Sequence, residues 1–373
     1  MKKIITIIAI LIVLATIGIG GYFIWSYFTM SSQVSPVPAG TGAIDNATPI
    51  TPSATSNTTI KLLADTAVAG YAQTGSKITA ITPDGQVVEI NGNDAQIINS
   101  SKLSENVLSV KVSYDGTWLL EKFGDKNHPK FSLYNVSSAS WKPITDFDMS
   151  DADWSPNSNK LAFISSLGSN ATIGILDLGK QTKTGFSREV ISTLALEEAN
   201  ITWLTPNEIL LSDPPSKYVL GSIWKYKIKE KTFTPLAYKK SGLVAGWSKT
   251  GSATGIIFTS TPKNNFSVVR GDGSIMVNIN ILTLPNKCTF QNFALVCAIP
   301  KNNLAAAILP DDYLKKALYT NDNFYKINVP TGEITPLLDT GSSKIDAVNL
   351  TISGSRLLFI NRLDQKLYSI DVP

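Results

Sequence analysis

The sequence predicts an all-β fold assembled from one hairpin used several times over, on three observations. The first is the stretch 151–164, in which β-prone residues flank a Pro156-Asn157-Ser158 turn. Proline presets φ there, and the short polar side chains close the turn. The second is recurrence: without gaps, Trp154 to Phe163 lies over Val112 to Glu121 and over Leu350 to Phe359, and Trp203 and Trp247 start further copies that differ in turn length. The third is spacing. Starts fall roughly 40 to 50 residues apart, the range of propeller blades and other repeat units.

The run Trp154-Ser155-Pro156-Asn157-Ser158-Asn159-Lys160-Leu161-Ala162-Phe163, followed by Ile173-Gly174-Ile175-Leu176-Asp177, resembles the TolB-type β-propeller repeat, a relative of the WD repeat. The resemblance spans nearly everything after residue 57 and is close only in this third unit. It implies a propeller and a site for partners, and it implies no reaction. With the N-terminus described next, the type resembled is a membrane-anchored bacterial one.

Residues 1–28 read as a cytoplasmic start and a transmembrane anchor. Lys2 and Lys3 precede an uncharged run from Ile4 to Phe28 that ends in Tyr22, Phe23, Trp25, Tyr27 and Phe28. As a helix such a run rises about 37 Å, enough to cross a bilayer of roughly 30 Å with tilt. The lysine pair favours a cytoplasmic N-terminus, and the aromatic cluster suits the far interface. A cleaved signal peptide is the rival reading; its apolar region is shorter and a small-x-small site follows it, whereas bulky aromatics follow here. Residues 29–58 are mostly Ser, Thr, Pro, Ala, Gly and Asn with Asp45 the sole charge and no aromatic residue, a tether with little to bury. The expected location is therefore a single-pass cell-membrane protein whose C-terminal domain, 59–373, lies outside the cytoplasm.

Within 59–373 the repeats divide into about seven blades. The last supplies three strands and then stops. Thr59 to Thr66 resembles Ile334 to Thr340, an outer strand leading into the next blade. The N-terminal strand is therefore expected to complete the final blade and close the ring, hiding edges that would otherwise aggregate. The blades are expected at about 67–98, 107–144, 151–186, 199–237, 243–284, 287–338 and 345–372. Trp154, Trp203 and Trp247 recur in phase with the repeat and read as filling between blades.

Composition excludes some functions. The net charge of +4 comes from scattered Lys and Arg without a cationic run, so nucleic acid is not an expected partner. Cys288 and Cys297 overlay Ala152 and Phe163 as cross-strand neighbours, within disulfide reach and in an oxidising compartment. Two cysteines and one histidine, His128, leave no metal site and no expected cofactor. Gly70 to Lys77 mimics a phosphate loop with Ser and Lys in the wrong order, and Arg270-Gly271-Asp272 and Ser113 to Trp118 are ordinary hairpin turns.

Loop length is the better guide to function. Loops joining second and third strands are long and dissimilar, at 123–130, 212–222, 259–265 and, longest, 300–323. They emerge on the face that carries the blade-to-blade connections, and irregular loops on a rigid scaffold are where binding resides. Candidate contacts are Lys126, His128, Lys130, Lys217, Tyr218, Lys263, Asp311, Asp312, Tyr313, Lys315 and Lys316. Acidic residues after Pro310 followed by lysines predict a short helix. The expected function is a non-catalytic binding or scaffold module for a protein or cell-envelope polymer. A propeller hydrolase or lyase using Asp311 and Asp312 near the channel is the alternative, and a spacer without ligand is a third.

Overall fold

A computed structural model describes residues 59–91, 94–99, 106–167, 170–182, 185–194, 198–248, 254–260 and 266–372. The expected anchor and tether, and candidate contact Lys263, lie outside the described residues. Among the described residues no helix is long and apolar enough to cross a membrane.

The described chain forms seven four-stranded antiparallel sheets. Six take their strands consecutively, and the seventh is made of the last three strands plus the first, Lys61–Ala64. Lys61 lies opposite Ser369 and Ala64 opposite Leu367, so the N-terminal strand closes the final blade as the sequence predicts. Turn chemistry sets the hairpins. Gly85 (φ +81°) donates its N–H to Thr82 O at the expected turn of blade one, and Gly273 (φ +87°) donates to Arg270 O in the Arg-Gly-Asp turn.

Apolar side chains make each blade adhere to the next. Separate buried clusters join blades one and two through Ala72 and Leu119, two and three through Leu133 and Trp154, and three and four through Ile173 and Trp203. Others join four and five through Ile223 and Leu243, five and six through Phe266 and Leu295, and six and seven through Phe324 and Phe359. The seventh joins Leu367 and Leu63 to Tyr71 and Ile78, so the last blade meets the first and the sheets form a ring. The three tryptophans lie in these wedges. Aromatic and aliphatic rows on both faces of each sheet make this packing possible.

One boundary differs. The outer strand of blade three was expected to end at Phe186 and instead runs Phe186–Leu194, paired along the twelve-residue strand Asn170–Gln181. Val190 and Ile191 keep it strand-like, and register shifts at Ile173/Gly174 and Asp177/Gln181 absorb the mismatch. The Cys288–Cys297 pair forms a disulfide across the first hairpin of blade six, at the register positions that Ala152 and Phe163 occupy in blade three.

Candidate functional site

The long loops and the blade-to-blade connections share one face. Gly242, in the connection after blade four, donates to Ser216 O in that blade's long loop, and Ser260 in blade five's loop donates to Ser241 O. The segment between Pro300 and Asp322 lies over this face. Pro310 precedes a single helical turn, Asp311–Leu314, with its two carboxylates in the first turn as expected. Leu304, Leu309 and Tyr313 are buried in the wedge that also holds Phe258, Leu284 and Val348, so the segment is part of the core. Leu314 and Tyr319 are exposed.

The insertion is tied to four blades. Asp311 accepts from Ser216 Oγ (3.2 Å) and the Lys217 backbone N–H (2.7 Å) of blade four. Ser260 Oγ of blade five donates to Leu309 O, and Lys301 Nζ donates to Thr340 Oγ1 (2.9 Å) after the last strand of blade six. Arg362 of blade seven donates to the carbonyls of Tyr313 (3.2 Å) and Leu318 (3.4 Å), with its guanidinium 3.8 Å from the Tyr313 ring centroid.

Below the insertion is a buried ionic cluster that sequence reasoning missed. Lys287 Nζ lies 2.7 Å from both Asp322 Oδ2 and Asp346 Oδ1, and donates to Thr320 Oγ1 (2.9 Å) and Ala347 O (3.1 Å). Tyr313 OH donates to Asp346 Oδ1 at 2.8 Å. Burial pulls the Lys287 ammonium down, but Asp322, Tyr313 and Asp346 outweigh it and hold it above the ordinary lysine value. Burial likewise opposes ionisation of Asp346, yet Lys287 and Arg362 keep that carboxyl below the usual range. At Asp322 burial wins and the carboxyl is raised, and burial pushes the Tyr313 phenol up to about 12. The adjoining cavity, lined by Leu304, Leu309 and Tyr313 among others, has about 10 Å³, one water at most, and admits no substrate.

A second set of charges closes the inner edges of blades two to four. Asp151 and Asp153, two apart on one strand, accept the backbone N–H groups of Ile201 and Trp203 on the next blade's inner strand, each at 3.0 Å. Lys111 Nζ donates to Ala152 O (2.7 Å), and Trp154 Nε1 donates to Lys111 O (3.0 Å). Burial disfavours the Lys111 ammonium, but Asp151 and Asp153 hold its pKa above the usual value. Inner strands carry one unpaired backbone edge, and these side chains satisfy it. The Asp-x-Asp-Trp pattern at 151–154 was the available signal.

The candidate contacts separate accordingly. Tyr313 and Asp311 are buried, and half-buried Asp312 accepts from the Ile308 N–H at 2.8 Å through Oδ2, so these three hold the insertion. Lys217, Tyr218, Lys315 and Lys316 are exposed, and the Asp311 contacts bring the two pairs together. Lys126, His128 and Lys130 are exposed on the loop of blade two, with His128 Nδ1 3.9 Å from Asp125. Among the described residues no group of three or more His, Cys, Asp or Glu is arranged to hold a metal ion.

No family model matches the chain, and no curated protein matches it. Solved structures do. The tricorn protease superposes with a TM-score of 0.52 at 12% identity, over 87% of this chain and 34% of that one, so the chain spans about a third of that protein's length. The β-propeller domain of the Trilobed protease from Pyrococcus furiosus gives 0.51 at 13% identity, over 82% and 94% of the two chains. Oligogalacturonate lyase from Vibrio parahaemolyticus gives 0.57 at 10% identity, over 84% and 91%. The Pyrococcus domain has an open velcro topology, whereas here the strand Lys61–Ala64 pairs with Leu367–Asp371. Likeness at these identities establishes architecture: the chain is a seven-bladed β-propeller.

Proposed function

We propose that this chain is a membrane-tethered, extracytoplasmic binding or scaffold module that takes a protein or cell-envelope polymer on its long-loop face and performs no reaction there. The observation that supports it is the engagement of the carboxylates in and beneath the insertion. Asp311 binds Ser216 and Lys217, Asp312 binds Ile308, and Asp322 and Asp346 bind Lys287. Lys126, Lys130, Lys217, Lys315 and Lys316 are exposed, Lys315 with its Nζ 3.9 Å from Asp311 Oδ1. A hydrolase or lyase needs an acid and a base open to one pocket, whereas outward cations beside tyrosines suit recognition of an anionic surface.

Removing the insertion is the wrong test, because Leu304, Leu309 and Tyr313 are core side chains. Surface charge reversal is better. Full-length chain is crosslinked in intact cells, and the species joined to the parent are compared with those joined to K126E/K130E and to K217E/K315E. Loss of a joined species from at least one variant, at unchanged folded-protein level, is expected; capture by both variants identical to the parent's overturns the assignment. The neighbours' names supply the enzymatic counter-test. Turnover of oligogalacturonate or of a peptide by the purified chain would replace the binding reading.

A further inference from the structure

Three consecutive apolar residues stand in solvent at the end of the blade-four loop: Tyr218, Val219 and Leu220 are 71%, 63% and 56% exposed. Leu314, at the tip of the insertion, is exposed as well. The two belong to one patch, because Asp311 holds the Ser216–Lys217 backbone and begins the turn that ends in Leu314. Exposed cations border the patch, Lys217 on one loop and Lys315 and Lys316 on the other, with Lys239 and Lys240 on the adjoining strand. Asp311 is buried 3.9 Å from Lys315 Nζ and Asp312 Oδ2 accepts from the Ile308 N–H, so the patch presents mainly apolar side chains and ammoniums.

We propose that this edge of the long-loop face seats on an anionic lipid bilayer, Tyr218, Val219, Leu220 and Leu314 entering the headgroup boundary and the lysines meeting lipid phosphates. The inference rests on the reading above that this is the contact face of a tethered module, and narrows it. Bilayer leaves the blade-two loop with Lys126, His128 and Lys130 for the protein or polymer. Charge complementarity favours the bilayer: apolar side chains ringed by lysines are the composition of interfacial membrane contacts. Long lysine stems can lie along the apolar patch with their ammoniums in the headgroups.

The tether permits this and sets a condition. Lys61 enters blade seven beside Asp371 (2.9 Å), and Val372 donates to Ser355 O in the hairpin turn on the face opposite the long loops. A bilayer contact at the long-loop face therefore requires the linker to pass the full height of the ring. About 30 residues reach roughly 100 Å when extended, more than that height.

The test uses full-length chain reconstituted in vesicles of phosphatidylcholine alone or of an equal mixture with phosphatidylglycerol. Both natural cysteines are in the disulfide, so V219C carries a unique thiol for an environment-sensitive fluorophore, and F293C, at an exposed hairpin turn of the opposite face, is the control. Quenching of the label at 219 by lipid-borne quencher is expected in the mixed vesicles, and the label at 293 stays unquenched. K315Q/K316Q lowers the docked-to-undocked ratio about tenfold or more. Equal quenching at 219 and 293, or quenching indifferent to lipid charge, overturns the proposal. If the label at 219 is free in pure lipid but shielded in native membranes, the occupant is a protein or polymer, and the bilayer contact fails while the binding reading stands. If it is free in both, the bilayer contact fails and the binding reading is left to the blade-two loop and its charge-reversal test.

Discussion

Lys287 carries its ammonium into the joint of blades six and seven, where Asp322, Asp346 and the Arg362 guanidinium complete a set of two negative and two positive charges. A buried group of this kind adds little net stability but is costly to leave half-made. Tyr313 gives the set a pH signature. Its phenol, raised by burial to about 12, keeps its proton in the folded state, whereas the unfolded phenol loses it near 10. Between about pH 10 and 12 the folded chain binds more protons than the unfolded one, so stability falls as pH rises. Lys287, lowered by burial but raised overall by Asp322, Tyr313 and Asp346, acts with the same sign: its contribution is intact below the unfolded pKa and lost as pH climbs through the folded one. Tyr313→Phe is expected to cost about 1–2 kcal/mol at neutral pH through the lost bond to Asp346 and to flatten the alkaline fall in Tm. A thermal-melt series as steep as the parent's would remove this role. None of the cluster was legible in the sequence, because Lys287 and Asp346 are 59 residues apart and nothing local marks either as buried.

Hairpins were legible for the opposite reason: turn residues and β-prone flanks are local signals, and the repeat makes each confirm the others. Ala152 opposite Phe163 and Cys288 opposite Cys297 follow from one overlay. What the overlay does not contain is the use of glycine beneath an aromatic ring. A Cβ on Gly174 would lie 2.2 Å from Phe163 Cζ, and one on Gly255 2.3 Å from Trp247 Cε3, each ring belonging to the residue paired across the hairpin. Both rings lie flat over the neighbouring strand because that position has no side chain. Gly174→Ala should therefore destabilise by about 1–3 kcal/mol through overpacking, whereas Gly179→Ala, exposed and meeting only Asp177 Oδ1 at 3.3 Å, should change little. Urea midpoints of the two variants decide it; equal midpoints would mean the ring moves aside freely. The misjudged end of blade three shows the limit of local signals, since Val190 and Ile191 extend a strand past Phe186 only because the paired strand is twelve residues long.

At the scale of the molecule, six of the apolar wedges connect blades that chain continuity already places side by side. The joint between blades seven and one depends on a strand from the other end of the chain. Its closure was legible from the likeness of Thr59 to Thr66 and Ile334 to Thr340 and from the missing fourth strand of the last blade. The insertion's reach to blades four and five was not, because irregular loops carry no period to align. Closure rests on two things: backbone pairing of Lys61, Leu62 and Ala64 with Ser369, Tyr368 and Leu367, and burial of Leu63 and Ala64 in the wedge. The Lys61–Asp371 ion pair is half exposed on both sides and adds little. A chain starting at Asp65 loses the pairing and the buried leucine, the latter worth roughly 2 kcal/mol, and bares the edge of Leu367–Asp371, a template for another chain. The expected result is a lower urea midpoint together with concentration-dependent association in sedimentation, whereas a chain starting at Thr59 remains monomeric. If the shortened chain is also monomeric with an unchanged midpoint, the apolar wedges alone hold the ring and the strand is dispensable.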